Sequence, residues 1–522
     1  MAEKIKRKDA STDTVQEAMG HYGPWHIIIA VSLSLVTFPV AWHQLTIVFL
    51  APPPIFNCIS PESLDNTTMR CEVTVANNVT EKCTAFKYDK SIFEETIITQ
   101  WDLVCDRQPL ANVVQTVTMF AVLIGNMAFG MLADRIGRKI PLVIAVLLLS
   151  LTGLASAFAP YYELFLVLKF LAALATGGSM LISFVIIMEI VGVEWRPMWS
   201  VLFHLPFITG NLINVLISYA TRTWYGFQIA ISVPPILLLS YYWVIPESPR
   251  WLLAVGRVDE AQIILTKAAK RNKIPFENVK IAIESYSESN SRDAQAVTEK
   301  YSILHLFKTP NLRVKTLCVC ANWLSCGICF FGLTQYVGTL SGDIFVNVAA
   351  AASMQLPGTV LVLFLISRVS RLKVMIGGNL LSGLSLLLLV FISNSTARVT
   401  LATIGLVGMS ISFPTVYLYS TEVFPTVVRN VGLGLASVSS RIGSMVAPFI
   451  ATMDTVQPWL PPLLFGIGPL IAAVLCLFLP ETMGCELPET IEDGEKFGKR
   501  FSGRKDSLCR EIRKQSIRSY TS

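Results

Sequence analysis

Twelve stretches of this chain are apolar over the roughly 20 residues that a helix needs to cross the hydrocarbon core of a bilayer. They lie near residues 26–50, 110–132, 141–159, 164–188, 199–220 and 227–245, and then near 314–337, 344–366, 374–393, 399–420, 431–451 and 460–479. In lipid each backbone N–H and C=O must be satisfied within its own segment, so runs of this length are helices and not open strands. Of 522 residues, 53% are hydrophobic and 15% charged, against about 25% charged in a soluble domain. The expected fold class is an all-α polytopic membrane protein. The N-terminus, MAEKIKRKDASTD, has neither the apolar core nor the small-residue cleavage site of a secretory signal.

Lys and Arg set the orientation. They cluster in the N-terminal tail (Lys4, Lys6, Arg7, Lys8), between the second and third spans (Arg135, Arg138, Lys139) and between the eighth and ninth (Arg368, Arg371, Lys373). The positive-inside rule therefore places both termini in the cytoplasm. The net charge of +6 follows this topology and does not point to nucleic acid, and five His cannot furnish a rich metal site. The long first loop, 51–109, then faces outward. It carries two glycosylation acceptors, Asn66 in Asn-Thr-Thr and Asn78 in Asn-Val-Thr. It also carries Cys58, Cys71, Cys83 and Cys105, an even set in an oxidising setting whose three connectivities stay open. The other seven Cys read as reduced packing residues. Asn394-Ser395-Thr396 hugs the membrane too closely to be used.

The domain order follows: a cytoplasmic tail (1–25), a six-helix bundle (26–245), a cytoplasmic loop (246–312), a second six-helix bundle (313–480) and a basic cytoplasmic tail (481–522). Within the central loop, VDEAQIILTKAAKRN has the pattern of an amphipathic helix. The two bundles repeat each other. Asp134-Arg135-Ile136-Gly137-Arg138 recurs as Ser367-Arg368-Val369-Ser370-Arg371, Glu189 and Arg196 recur as Glu422 and Arg429 with the same spacing, and Pro246-Glu247-Ser248 recurs as Pro480-Glu481-Thr482. All three matches fall at nearly one offset. In each half a Glu and an Arg at the inner helix ends can pair with the basic turn between the second and third helices. Such pairs would close the inner face in one state and open in another. The gating candidates are thus Asp134, Arg135, Arg138, Glu189, Arg196, Arg368, Arg371, Glu422 and Arg429.

Several motifs carry a family resemblance. GMLADRIGRK (130–139) resembles the major facilitator signature between helices two and three. TQWDLVCDRQPL (99–110), YYWVIPESPRWLL (241–253), YSTEVFPTVVRNVGLG (419–434) and LPETMGCELPET (479–490) resemble the organic cation, organic anion and carnitine transporter family. The resemblance spans essentially the whole chain. It implies a twelve-helix major facilitator fold of two six-helix repeats around a central site, working by alternating access. No cofactor is implied. There is no nucleotide-binding loop, and no H-E-x-x-H or G-x-S-x-G that would suggest an enzyme.

Solute polarity has to come from the cavity. In NVGLGLASVSSRIGSMVAPFI (430–450) one cation, Arg441, stands twelve residues past Arg429, about 18 Å into the membrane at 1.5 Å per residue. A charge at that depth marks a site facing an aqueous cavity. The cation branch of the family resembles proteins with Asp at this position and Glu in helix eight; the anion and carnitine branches have Arg. Here the positions are Arg441 and Gln355, while Thr359 stands where the anion branch often has Lys. None of the twelve predicted helix interiors contains Asp or Glu. A positive cavity attracts a carboxylate, and aromatic rings can hold an amine, so a zwitterion, carnitine-like or amino-acid-like, satisfies both. The substrate-binding candidates are Arg441, Phe331, Tyr336, Gln335, Gln355, Asn322, Tyr417 and His204. Lys169, six residues from Glu163, reads as snorkelling to the outer headgroups; His43 and His204 read as packed, hydrogen-bonded residues. Two other readings stand beside this one: an organic cation transporter using cation–π recognition, and a receptor that binds solute on a transporter scaffold. With no buried carboxylate to relay protons, facilitated diffusion or exchange is the expected energy source.

Overall fold

Eleven helices among the described residues of the computed structural model are long and apolar enough to cross a membrane, and a shorter apolar helix completes the second set of six. The structure describes residues 14–60, 71–75, 79–192, 194–293, 302–485 and 488–498; Asn66 and Asn78 lie outside them. The first six spans are α1 (Pro24–Leu50), α2 (Cys105–Ile136), α3 (Lys139–Ser156), α4 (Tyr162–Ile190), α5 (Arg196–Thr221) and α6 (Trp224–Val244). The second six are α7 (Pro310–Thr339), α8 (Ile344–Ile366), α9 (Arg371–Leu389), α10 (Ser395–Val423), α11 (Thr426–Thr455) and α12 (Leu460–Cys476). Within each half, α2 and α3 pack on α4, and α7 packs on α11 as α9 does on α10 and α12. The halves meet chiefly where α2 lies along α11 and α5 along α8.

Small residues set the closest approaches. The buried face of α11 is Gly432, Ala436, Ser440, Gly443, Ser444 and Ala447. A Cβ added at Gly443 would stand 2.5 Å from the Leu324 carbonyl of α7, so a larger residue would push the helices apart. This is the usual means by which membrane helices gain van der Waals contact when lipid offers no hydrophobic drive. α1 is not continuous. It runs as Pro24–Ser34, Thr37–Gln44 and Ile47–Leu50, with breaks at Leu35–Val36 and Leu45–Thr46.

The loop after α1 forms two antiparallel strand pairs. β1 (Phe56–Ser60) pairs with β4 (Ala85–Tyr88), and β2 (Glu72–Val75) with β3 (Val79–Lys82). Of the three open connectivities, the structure has Cys58–Cys83 and Cys71–Cys105. The Tyr88 hydroxyl donates to Asp102 at 2.8 Å, and burial together with that carboxylate pushes the phenol above its usual value. Five of the remaining cysteines, Cys318, Cys320, Cys326, Cys329 and Cys476, are free thiols, as expected. Cys485 is disulfide-bonded and departs from that expectation.

On the opposite face, Val258–Asn272 is the helix expected from its pattern, and Phe276–Asp293 follows it. Residues 488–498 dock on the start of α7, where Lys315 Nζ donates to the Gly494 carbonyl at 2.8 Å and Asn311 N donates to Glu495 at 2.9 Å. A buried ammonium needs such acceptors, and the tail supplies them.

Candidate functional site

A cavity of about 40 Å³ lies between the two halves, lined by Gln44 of α1, Met180 of α4, His204, Phe207 and Ile208 of α5, Phe330 and Phe331 of α7, Thr359 of α8, Ser410, Phe413 and Pro414 of α10, and Arg441 of α11. Arg441 is the cation of this lining. Its guanidinium lies 6.0 Å from the centroid of the Phe331 ring and 3.9 Å from Met119 Sδ of α2. Among the described residues no carboxylate lies within 4.0 Å of it. Three more features make the lining polar at chosen points. The Thr359 hydroxyl is buried without a partner. His204 Nδ1 donates to the Ser200 carbonyl at 2.8 Å; a carbonyl can only accept, so the proton sits on Nδ1 and Nε2 is left as an acceptor. Pro414 has no N–H, so the Ser410 carbonyl one turn earlier lacks its helical donor.

Aromatic contacts close the cavity toward the face opposite the loop with β1–β4. Phe184 of α4 meets Tyr417 of α10 at 5.2 Å, His204 meets Phe413 at 6.5 Å, and Trp323 of α7 backs both α10 rings at 5.7 and 5.4 Å. Toward the loop face the closure is mixed. Asn112 donates to Thr452 and Thr116 to the Met445 carbonyl, each at 2.9 Å, joining α2 to α11. The Phe49 ring stacks on Phe345 at 6.1 Å, and the Arg222 guanidinium stands 5.0 Å from that ring. The halves therefore touch both above and below the cavity.

Of the eight residues expected to bind solute, Arg441, Phe331 and His204 line the cavity. The other five do not. Tyr417 belongs to the aromatic floor. Asn322 turns away toward α9 and α12, accepting from Asn379 at 3.1 Å and donating to the Ala472 carbonyl at 3.4 Å. Tyr336 accepts from Arg398 at 3.0 Å near the loop face. Gln355 is 1% exposed and bonds the Ala351 carbonyl of its own helix; Gln335 is buried with its Oε1 unpaired. Asn322 faces its own half, whereas Gln335, Gln355 and Tyr417 stand one turn from the cavity-lining Phe331, Thr359 and Phe413, a difference in depth that spacing within one span cannot reveal. Lys169 also departs from expectation. It is 1% exposed and donates to Thr46 at 2.9 Å instead of reaching the headgroups, because its face of α4 packs on α1 while Leu164 and Val167 take the exposed face.

The gating candidates fall into two equivalent clusters. Arg138 bonds Glu189 at 3.1 Å and Asp134 at 3.2 Å; Arg371 bonds Glu422 at 3.4 Å. Both Arg–Glu pairs lie within one half. Arg196 and Arg429 instead bond the Val191 and Phe424 carbonyls, at 3.4 and 3.3 Å, each closing the end of the preceding helix. Arg135 and Arg368 are exposed. The repeat also contains two carboxylates whose role the spacing did not reveal. Glu247 accepts from the backbone of Arg138 and Lys139 at 2.8 and 3.1 Å. Glu481 accepts from the backbone of Arg371 at 3.0 Å and from the Ser370 hydroxyl. Each caps the first turn of the third helix of its half, where a negative charge is favoured. Gly137, at φ +102° with Glu247 against it, leaves no room for a side chain; Ser370, at φ −49°, takes the same place with a hydroxyl.

A family model described as "Sugar (and other) transporter" matches residues 60–493. The chain is 34% identical over 521 residues to the organic cation transporter protein of Drosophila melanogaster, covering 94% of this chain and 95% of that protein. It is 30% identical over 507 residues to organic anion transporter 3 of Oryctolagus cuniculus, covering 92% and 93%, and 35% identical over 406 residues to solute carrier family 22 member 3 of Mus musculus, covering 77% and 72%. Among solved structures, the inward-open xylose transporter XylE from E. coli matches with a TM-score of 0.65 over 90% of this chain and 99% of that one, at 17% identity, a likeness of fold. The twelve spans, the cavity between two repeated halves and these matches over nearly the full length place the chain in the sugar (and other) transporter family of the major facilitator superfamily, with the organic cation and anion transporters of solute carrier family 22, as a membrane transporter and not an enzyme.

Proposed function

We propose that the chain carries small organic ions bearing a carboxylate, zwitterions of carnitine or amino-acid type among them, across the plasma membrane by alternating access. The observation that carries this reading is Arg441, a cation in the cavity wall with no carboxylate within 4.0 Å among the described residues. A desolvated guanidinium favours a planar anion that can take two parallel hydrogen bonds. The amine of a zwitterion would then lie over Phe330 or Phe413 with the Ser410 carbonyl beside it, as a cation–π partner and an acceptor. The halves would rock about this site. The aromatic floor and the α2–α11 bonds would part in alternation, and the Arg138–Glu189 and Arg371–Glu422 pairs would brace the inner end of each half. The loop face would be extracellular, with Asn66 and Asn78 glycosylated.

A second reading is transport of simple organic cations. It is favoured by four rings in the lining, Phe207, Phe330, Phe331 and Phe413, and by the cations that the names of relatives specify. Uptake into cells expressing the chain separates the two, with a labelled quaternary ammonium, a dicarboxylate or aromatic monoanion, and a zwitterion such as carnitine measured side by side. The zwitterion or the anion is expected to lead. A lead by the quaternary ammonium would mean that the rings govern recognition and would overturn the carboxylate reading. Binding without flux into vesicles would favour a solute receptor.

A further inference from the structure

A second buried polar layer lies inside the N-terminal half, one residue behind the cavity wall. Lys169 and His43 are each 1% exposed. The Lys169 ammonium has one hydrogen bond, to Thr46 Oγ1, whose own proton goes to the His43 carbonyl at 3.2 Å. Neither ring nitrogen of His43 makes a hydrogen bond of good geometry, although the Ile231 carbonyl of α6 faces the ring, and Thr46 ties the His43 backbone to the Lys169 ammonium. A Cβ at Gly153 of α3 would meet His43 Cε1 at 2.8 Å, so the ring is held in place. The groups facing this layer are His43 and Thr46 from α1, Gln115 from α2, Gly153 from α3, and Gln228 and Ser232 from α6. Among them His43 alone titrates besides Lys169 itself. No described carboxylate lies within 4.0 Å of Lys169.

We propose that Lys169 and His43 together bind a single proton, and that its binding releases the loop-face end of α1 from the C-terminal half. Two cations in one dry layer without a counter-charge exclude each other, so the pair holds one proton at most. Thr46, the partner of Lys169, sits at the second break of α1. Beyond that break the short helix Ile47–Leu50 reaches across to the other half: Val48 packs against Gly338 of α7 and Phe49 stacks on Phe345 of α8. On the near side of the break is Gln44, which lines the cavity and whose carbonyl accepts from Gln115 at 3.3 Å. A charge appearing on this layer therefore acts at the joint between the cavity wall and the loop-face closure. The proposal goes beyond the carboxylate reading and does not depend on it.

The test needs no solute. Val48→Cys, in the full chain in cells, is labelled by a membrane-impermeant maleimide from the loop face, and its rate is divided by that of Ser91→Cys, an exposed loop position, to cancel the thiol's own pH dependence. Between about pH 8 and 5.5 the ratio is expected to rise about five-fold or more, the low end of coupling between two sites. Lys169→Arg should hold the ratio at its high value across the same range, and Lys169→Met, which leaves only the buried His43 to take the proton, should displace the rise to lower pH. A flat ratio in the parent, or the parental slope retained in Lys169→Arg and Lys169→Met, overturns the proposal. If Lys169→Met does not reach the surface, Lys169→Arg decides alone.

Discussion

Arg441→Asp is expected to reduce the apparent affinity for carboxylate-bearing solutes by about 30-fold to 4,000-fold, the range for removing one partner of a desolvated, hydrogen-bonded charge pair. It should at the same time admit simple organic cations, because the reversed charge faces a lining that already offers Phe207, Phe330, Phe331 and Phe413. The size of the effect follows from where the charge sits. Its guanidinium faces a thioether and a ring, neither of which can replace a carboxylate. Concentration-dependent uptake of carnitine and of a quaternary ammonium, in variants matched for surface delivery, reads both arms. Unchanged selectivity would remove Arg441 from the site.

Glu422→Gln is expected to slow turnover about ten-fold while leaving the half-saturating solute concentration within about three-fold. The carboxylate is 14% exposed, its partner Arg371 is 12% exposed, and its other oxygen accepts from Thr482. Losing the negative charge leaves a partly buried guanidinium uncompensated, which costs about 1–3 kcal/mol. That cost falls on the end of the C-terminal half opposite the loop face, far from the cavity lining, so it should act on the change of state and not on binding. Glu189→Gln should act alike in the other half, through Arg138. Initial rates across solute concentrations separate the two constants. Equal damage to both would mean that these pairs shape the site itself.

The membrane-spanning fold was legible because its signal is length and apolarity, which need no knowledge of what packs on what. The expected helix at Val258–Asn272 was also legible, since amphipathicity is local. The repeat exposed the two Arg–Glu clusters, but only part of their chemistry. Arg138–Glu189 and Arg371–Glu422 could be read from matched spacing, whereas the capping role of Glu247 and Glu481 needed the chain to fold back on the third helix of each half. The cavity was harder. Arg441 stood out because a mid-membrane cation is rare, and Phe331 and His204 lie on facing helices. Asn322 bonds toward α9 and α12, and Tyr336, Gln335 and Gln355 lie outside the cavity at other heights along their helices; where along the helices the cavity opens is decided by the neighbouring helices. The break in α1 carried no composition signal, so Lys169 was read as a snorkelling side chain and Thr46 went unnoticed.

The contact between Arg441 and a solute carboxylate is tested most directly by one ratio: uptake of carnitine against uptake of its methyl ester, in the parent chain and in Arg441→Gln. In the parent the ratio is expected to favour the free carboxylate by about 10-fold to 100-fold, the worth of a hydrogen bond to a charged group. In Arg441→Gln it should fall to near unity, through loss of carnitine uptake and not through gain of the ester. An equal preference for the free carboxylate in both chains would contradict the assignment of Arg441 as the carboxylate-binding residue.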